Sequence, residues 1–369
     1  MTNALHAGNR TRRAFLRQAT LGWCALCIRV HAAPPGPRRR AAAFLRGQQA
    51  ADGAWRSRQY GPLREGDALT PLVLWAAPEL GGKGLPWLRA LTARVAAAPE
   101  PWVGLAYPLF TAAYAARALA AADDQAGAAV WRGVLERLRI QSALGWPVDS
   151  AACGAWGDAP APPRLPPGLE SVPEMLAPNL SATVLALQAG AAGPPARRFV
   201  EQCQNFPDDG GFFFMPGDPV RNKAGVAGRD AAGREQYHSY GSATCDGVLA
   251  LRAAGVPPEA ARPQAALRWL QRHGRGGVHG GTWAPGRAQA GEGLRFYYAQ
   301  AYAEVLSLAV ADPNFRAWAR EQQRALRTDL LAAQQSDGSW VNAYDGSFED
   351  DPLIATAFAM RALRLLPEA

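Results

Sequence analysis

Four side chains have the chemistry and the setting to move a proton. Asp246 sits within YGSATCDGVLAL, a stretch made almost wholly of small and apolar residues. A carboxylate there is costly unless it is paired or faces a wet cavity, so Asp246 is either a structurally paired acid or a functional one. Asp350 and Asp351 are adjacent in FEDD. Neighbouring carboxyls can share one proton and raise one pKa, a form suited to donating into an apolar space. The competing use of Asp351 is to cap a helix that begins at Pro352. His238 precedes Tyr240 at the start of the Asp246 stretch, where a histidine serves as an acid–base group or simply as a helix-entry residue. Around these groups Tyr107, Phe110, Tyr114, Tyr240, Phe296, Tyr297, Tyr298, Tyr302 and Phe358 fall in Ala-rich segments. Aromatic faces stabilise cations and line apolar pockets. Core packing is their alternative use and must account for at least half of them.

The elements that position these residues are helical. Apolar residues recur at helical spacing from about Phe44 to Leu363, with no sustained alternation of β-branched residues. Two classes of helix alternate. One is Ala- and Leu-rich with few charges, as in YPLFTAAYAARAL, NLSATVLALQA and ATAFAMRAL; the other is amphipathic, as in VWRGVLERLRIQ and FRAWAREQQRALRTDLLAAQQ. Helices apolar on most faces are surrounded by other helices, and small side chains let them approach closely. The alternation predicts an all-α fold, an inner ring within an outer ring of about six helical hairpins: an (α/α)6 toroid. Connections from outer to inner helices are the long ones (50–66, 145–178, 205–237, 274–293, 335–350), which places them together on the rim where inner helices begin. Long loops in compact domains concentrate function, so the site is expected there. The Pro-rich segment 147–177 and the polar segment 215–236 are each either a lid or a disordered loop. Helix N-termini meeting at that rim favour an anionic ligand head, with Arg295 as the base to support it.

The chain of 369 residues carries a formal charge of +8 and is 49% hydrophobic. Its beginning, with Thr11, Arg12, Arg13, Phe15, Leu16 and Arg17 ahead of ATLGWCALCI and the small-residue site at Ala32, reads as a twin-arginine export signal of residues 1–32. The protein is then periplasmic or secreted, with residues 33–369 as its domain. Cleavage would remove five arginines and no acid, taking the charge from +8 to +3; nucleic acid is then excluded as a partner. Cys153, Cys203 and Cys245 remain, read as buried thiols with at most one disulfide. Association with a membrane surface and the oligomeric state are left open.

Two phrases repeat. Gln49, Gly53 and Trp55 share the spacing Q-x-x-x-G-x-W with Gln334, Gly338 and Trp340; Gln141, Gly145 and Trp146 form a shortened version, and DDGGF at Asp208 to Phe212 a looser one. Thr70, Thr111, Thr183, Thr244 and Thr356 recur in the inner class of helix. With these units the chain resembles the squalene-hopene cyclase and protein prenyltransferase superfamily over nearly all of residues 33–369. The resemblance implies a toroid of terpenoid cyclase type whose lumen binds an isoprenoid or other apolar chain and transforms it by acid catalysis, or a non-catalytic lipid-binding or interaction scaffold on the same frame. Cyclases of this type carry D-x-D-D just before a Thr-Ala pair. Before Thr356 and Ala357 this chain has Pro352, Leu353, Ile354 and Ala355, so that motif is out of register. The resemblance to prenyltransferases would put zinc ligands at the starts of inner helices, but Asn179 and Ser181 stand where such ligands would be and are poor zinc donors; no metal and no cofactor are expected. Candidate acids are Asp246, Asp350, Asp351 and His238; candidate ligand contacts are Tyr107, Asn179, Tyr240, Phe296, Tyr297 and Tyr298.

Overall fold

The computed structural model describes residues 36–169 and 172–368. The expected signal of residues 1–32 lies outside them. Residues from Pro37 onward form one compact unit. Along it run α1 (Pro37–Gln48), α2 (Leu69–Ala76), α3 (Gly81–Ala97), α4 (Pro108–Ala121), α5 (Gln125–Leu138), α6 (Leu180–Gln188), α7 (Arg197–Gln202), α8 (Gly241–Ala253), α9 (Ala261–His273), the short α10 (Ala288–Glu292), α11 (Arg295–Ala309), α12 (Arg316–Ala333) and α13 (Pro352–Leu365).

The helices α2, α4, α6, α8, α11 and α13 pack each on the next, and α13 packs back on α2, which closes a ring. Outside it α1, α3, α5, α7, α9 and α12 lie against them. The composition explains the two circles. In α8 every residue from Gly241 to Leu251 is buried, as small side chains permit. In α12 only Ala319, Gln323, Leu326 and Leu330 are buried, one stripe three to four residues apart facing inward. Among the described residues no helix is long and apolar enough to cross a membrane.

Connections follow the expected asymmetry. Residues 77–80, 122–124 and 254–260 carry the chain from inner to outer helix, whereas 49–68, 139–179, 203–240, 274–294 and 334–351 return it. A pair of strands interrupts the expected all-helical frame. The loop after α7 contains a small antiparallel hairpin, β1 (Val226–Arg229) with β2 (Glu235–Tyr237). Its strands are short and mostly exposed, so no hydrophobic alternation marks them in the sequence.

The glycine turns have one construction. Gln49 Nε2 donates to the Gly53 carbonyl, Trp55 Nε1 donates to the Leu45 carbonyl, and the Trp55 N–H donates to Thr70 Oγ1 on the following inner helix. The same contacts join Gln334 to Gly338, Trp340 to Leu330 and Trp340 to Thr356. The glycine is obligatory: Gly53 and Gly338 sit at φ +100° and +93°, and a Cβ there would lie 2.3 and 2.5 Å from the Lys83 and Arg40 carbonyl oxygens. The third unit corrects the sequence reading. Its tryptophan is Trp156, not Trp146. Trp156 donates to the Leu135 carbonyl and takes Thr183 as its partner, behind Gly154 at φ +93°, and Trp146 instead bonds Pro163. A long insertion after Gln141 carries the true Gly-Ala-Trp out of the expected spacing.

Candidate functional site

All six inner helices start at the looped rim, and their first turns enclose a cavity of about 490 Å³, within the roughly 300–1,000 Å³ of small-molecule sites. Leu69 and Leu72 come from α2, Phe110 and Tyr114 from α4, Ser181 from α6, Ser242 from α8, Tyr297 from α11, and Ile354 and Phe358 from α13. The lining reaches no deeper than Tyr114 and Phe358. Further along the same helices, Arg117, Gln188, Gln300 and Glu304 form a hydrogen-bonded plug, with the guanidinium groups of Arg117 and Arg361 on the Trp75 ring at 4.5 and 5.1 Å.

At the mouth stand Tyr107 and Phe348, their ring centroids 6.2 Å apart. Both have left-handed backbones, φ 48° and 62°. For aromatic residues this conformation costs about 1–3 kcal/mol each and persists only where the surroundings impose it.

Asp246 is the buried acid of the site. It is 2% exposed and lies one hydrogen bond behind the cavity wall. Ser181 Oγ donates to Oδ2 at 2.9 Å, and the Tyr297 hydroxyl is 3.0 Å from both carboxylate oxygens. Ser181 and Tyr297 both line the cavity. Burial pushes the Asp246 pKa up to about 7; the two hydroxyls oppose the shift, and the charge of Glu304 adds to it. The helix needs Gly247 next in sequence, because Phe212 packs so closely that a Cβ would fall 2.4 Å from its ring.

The FEDD segment divides its work differently from the expectation. Asp351 caps α13, Oδ1 accepting from the Leu353 N–H at 2.9 Å. Asp350 accepts the Tyr60 hydroxyl. The two carboxyls therefore do not form a proton-sharing pair, since each is engaged by a separate donor. The residue that reaches the cavity is Glu349, which the sequence reading passed over. It is fully buried and accepts the Phe296 and Tyr297 N–H groups at 2.8 and 2.7 Å, and the Asn342 amide at 3.1 Å. Burial raises its pKa to about 7 against these hydrogen bonds. Glu349 thus occupies the N-terminus of α11 as a capping carboxyl from a distant loop.

His238 is absent from the cavity wall; its N–H donates to the Gly225 carbonyl at the exit of β2. The histidine that serves α8 is His279. Its Nε2 accepts the Ser242 N–H and its Nδ1 faces the Gly291 carbonyl, both at 2.9 Å, which assigns the proton to Nδ1. Burial lowers its pKa to about 4. Of the expected ligand contacts, Tyr107, Asn179, Tyr240 and Tyr297 line the cavity. Phe296 and Tyr298 do not. Successive helical residues cannot share a face, and Tyr298 turns outward to stack on His279 and Tyr302 at 4.7 and 5.2 Å. Asn179 also caps α6, accepting the Ala182 N–H at 2.8 Å.

Asp158 and Lys223, from the two longest loops, complete the charged lining. Asp158 is held by Arg221 at 2.5 Å and by the Asn179 amide at 2.9 Å. Arg295, expected to support an anion, instead pairs with Asp329 at 3.1 Å. Cys153, Cys203 and Cys245 are free thiols. Among the described residues no three His, Cys, Asp or Glu side chains converge as a metal site would require.

No protein-family model and no curated protein matches the chain. Solved structures do. A protein from Actinoplanes is 17% identical with a TM-score of 0.55, covering 89% of this chain and 98% of that one. The type II terpene cyclase MstE from Scytonema is 13% identical with a TM-score of 0.54, covering 89% and 98%. A variant of that cyclase in complex with its product merosterolic acid A is 14% identical with a TM-score of 0.55, covering 89% and 95%. Likeness at these identities shows the fold: the chain is an all-α toroid of the kind seen in terpene cyclases.

Proposed function

We propose that the toroid takes an apolar, isoprenoid-like molecule into its lumen and transforms it by acid catalysis, with Asp246 as the proton reservoir. The observation that carries this reading is the Asp246 carboxyl with a pKa near 7, sealed behind two hydroxyls that face an aromatic-walled cavity. The solved terpene cyclase of the same fold binds geranylgeranyl dihydroxybenzoate as substrate, which supports a ligand of this class.

The step in this reading is a proton relay. The Tyr297 or Ser181 hydroxyl passes its own proton to the substrate as it takes the Asp246 proton, so the hydroxyl is unchanged and Asp246 is left as carboxylate. The new bond to hydrogen uses an electron pair of the substrate. The positive charge left behind is met by the faces of Phe110, Tyr114 and Phe358, and is discharged when a neighbouring double bond attacks it and a proton leaves to the carboxylate or to water. No cationic group is among the influences on Asp246, so the acid is kept protonated by burial and not strengthened by charge. Such an acid suits an oxygen function on an apolar chain, an epoxide, carbonyl or allylic alcohol, better than an isolated alkene.

Membership of the squalene-hopene cyclase group and export by the twin-arginine route belong to the same proposal and rest on the repeated Gln-Gly-Trp phrases and on TRRAFLR. Exposed Tyr107, Met175 and Phe348 at the mouth support collection of the ligand from a membrane surface. A carrier role is the second reading, favoured by the hydrogen-bonded wall that separates Asp246 from the cavity. The test is to extract the purified protein with organic solvent, identify what it retains by mass spectrometry, and incubate that compound with wild type and Asp246→Asn. Conversion by wild type alone is expected. A retained lipid recovered unchanged from both would establish the carrier, and an empty lumen that takes up no apolar compound would overturn both readings.

A further inference from the structure

The charges facing the cavity are unequal in their engagement. Asp158 is neutralised by Arg221 and bonded by Asn179, and Arg221 is itself tied to the Glu174 carbonyl at 3.0 Å. Glu349 accepts three N–H donors. Lys223 is different. Its ammonium lies over the Phe214 ring, Nζ 5.7 Å from the centroid, and takes part in no hydrogen bond or salt bridge among the described residues, while the residue lines the cavity with Asn179, Tyr240 and Ser242. Behind Ser242 lies His279, neutral because its Nε2 is an acceptor there; the neighbouring cation, Arg221, is already paired with Asp158, so Lys223 is left as the uncommitted charge. A half-buried ammonium with no hydrogen-bonded anion is costly, and in a pocket whose two carboxylates, Asp158 and Glu349, are engaged by other donors it marks the place where a ligand supplies the missing charge.

From this arrangement we infer that the ligand is amphipathic and acidic: a carboxylate or phosphate head bound at Lys223, with an apolar tail running down the lumen toward Phe110, Ile354 and Phe358. The inference rests on the reading of the lumen as an apolar-ligand site and specifies which end of the ligand the mouth holds. It also fits the loop origin of Lys223, between α7 and α8, since the head would lie at the entrance and the tail in the closed end.

The experiment uses three probes of equal chain length, dodecanoate, dodecyl phosphate and dodecanol, titrated calorimetrically into the full protein and into Lys223→Met and Lys223→Arg. Wild type is expected to bind at least one of the anions about tenfold or more tightly than the alcohol, as one charge-assisted contact in a desolvated site provides. Lys223→Met reduces that anion to the affinity of the alcohol, and Lys223→Arg retains the preference. The order of the two anions then separates a carboxylate head from a phosphate one. Equal binding of all three by wild type, or a preference that survives in a folded Lys223→Met, would overturn the assignment. Failure of all three to bind would instead count against the apolar lumen itself, so the two outcomes are distinct.

Discussion

Replacing Asp246 by asparagine should stabilise the protein above neutral pH, and by an amount the structure specifies. The carboxyl is buried and its pKa stands at about 7 against an ordinary 3.8. A group that binds its proton more tightly when folded contributes stability below its unfolded pKa and loses it as the pH rises through the folded one. The window therefore runs from about pH 4 to about pH 7. Three units at 1.36 kcal/mol each make the full loss about 4 kcal/mol, of which roughly 2.5 kcal/mol falls between pH 5 and pH 8. Asparagine is isosteric with the protonated acid, and the Ser181 and Tyr297 hydroxyls can turn to accept from its amide, so the variant mimics neutral Asp246 at every pH. Thermal unfolding of both proteins at pH 5 and pH 8 isolates the effect, because Glu349 and other titrating groups cancel in the difference. The advantage of Asp246→Asn should grow by on the order of 5 °C between the two conditions, taking about 2 °C per kcal/mol for a domain of this size. A difference that stays constant with pH would mean that Asp246 does not titrate in this window, and the acid on which the proposed chemistry rests would be lost.

Tyr297→Phe removes a hydrogen bond that favours the charged carboxylate, so the pH at which the Asp246→Asn advantage levels off should move upward in that background, while its onset near pH 4 stays put; an unchanged or lower plateau pH would place the proton-holding contact elsewhere. His279 has the opposite sign: its pKa, lowered from 6.5 to about 4, costs the fold about 3 kcal/mol as the pH falls through that interval. His279→Gln keeps an acceptor for the Ser242 N–H and should shift acid unfolding, followed by circular dichroism, to lower pH. Gly338→Ala combines a positive φ with a Cβ 2.5 Å from a backbone oxygen, whereas Gly255→Ala has the positive φ alone. Denaturant titration should find about 1 kcal/mol for the second and at least twice that for the first, and equal losses would contradict the account of the glycine turns.

The closed ring was legible because two local properties, helical spacing and the alternation of Ala-rich with charged helices, suffice to determine it. Asp246 was legible for a related reason, since an acid inside a crowded helix is conspicuous in one dimension. What escaped depends on contacts between distant segments. His279 reaches Ser242 from a later loop, and no spacing announces that. Glu349 sits beside the two aspartates that drew attention, and its reach to the start of α11 follows from the left-handed turn at Phe348, which an aromatic residue does not advertise. Lys223 lies in a polar loop whose composition alone fits disorder. Phe296 and Tyr298 show the limit of composition even inside a helix: adjacent aromatics were assigned to one cavity, yet the helical rotation gives the cavity only Tyr297.

The seam of the ring lies between its first and last helices. Gln334 Nε2 bonds the Pro37 carbonyl at the start of α1, and Gly338 fits against the carbonyl of Arg40. The ring therefore cannot close until the residues of α13 are in place. The same adjacency makes a circular permutant feasible: joining the helices at the seam and cutting one of the three- to seven-residue turns on the opposite face would move the last stave elsewhere and change the order in which the vessel shuts.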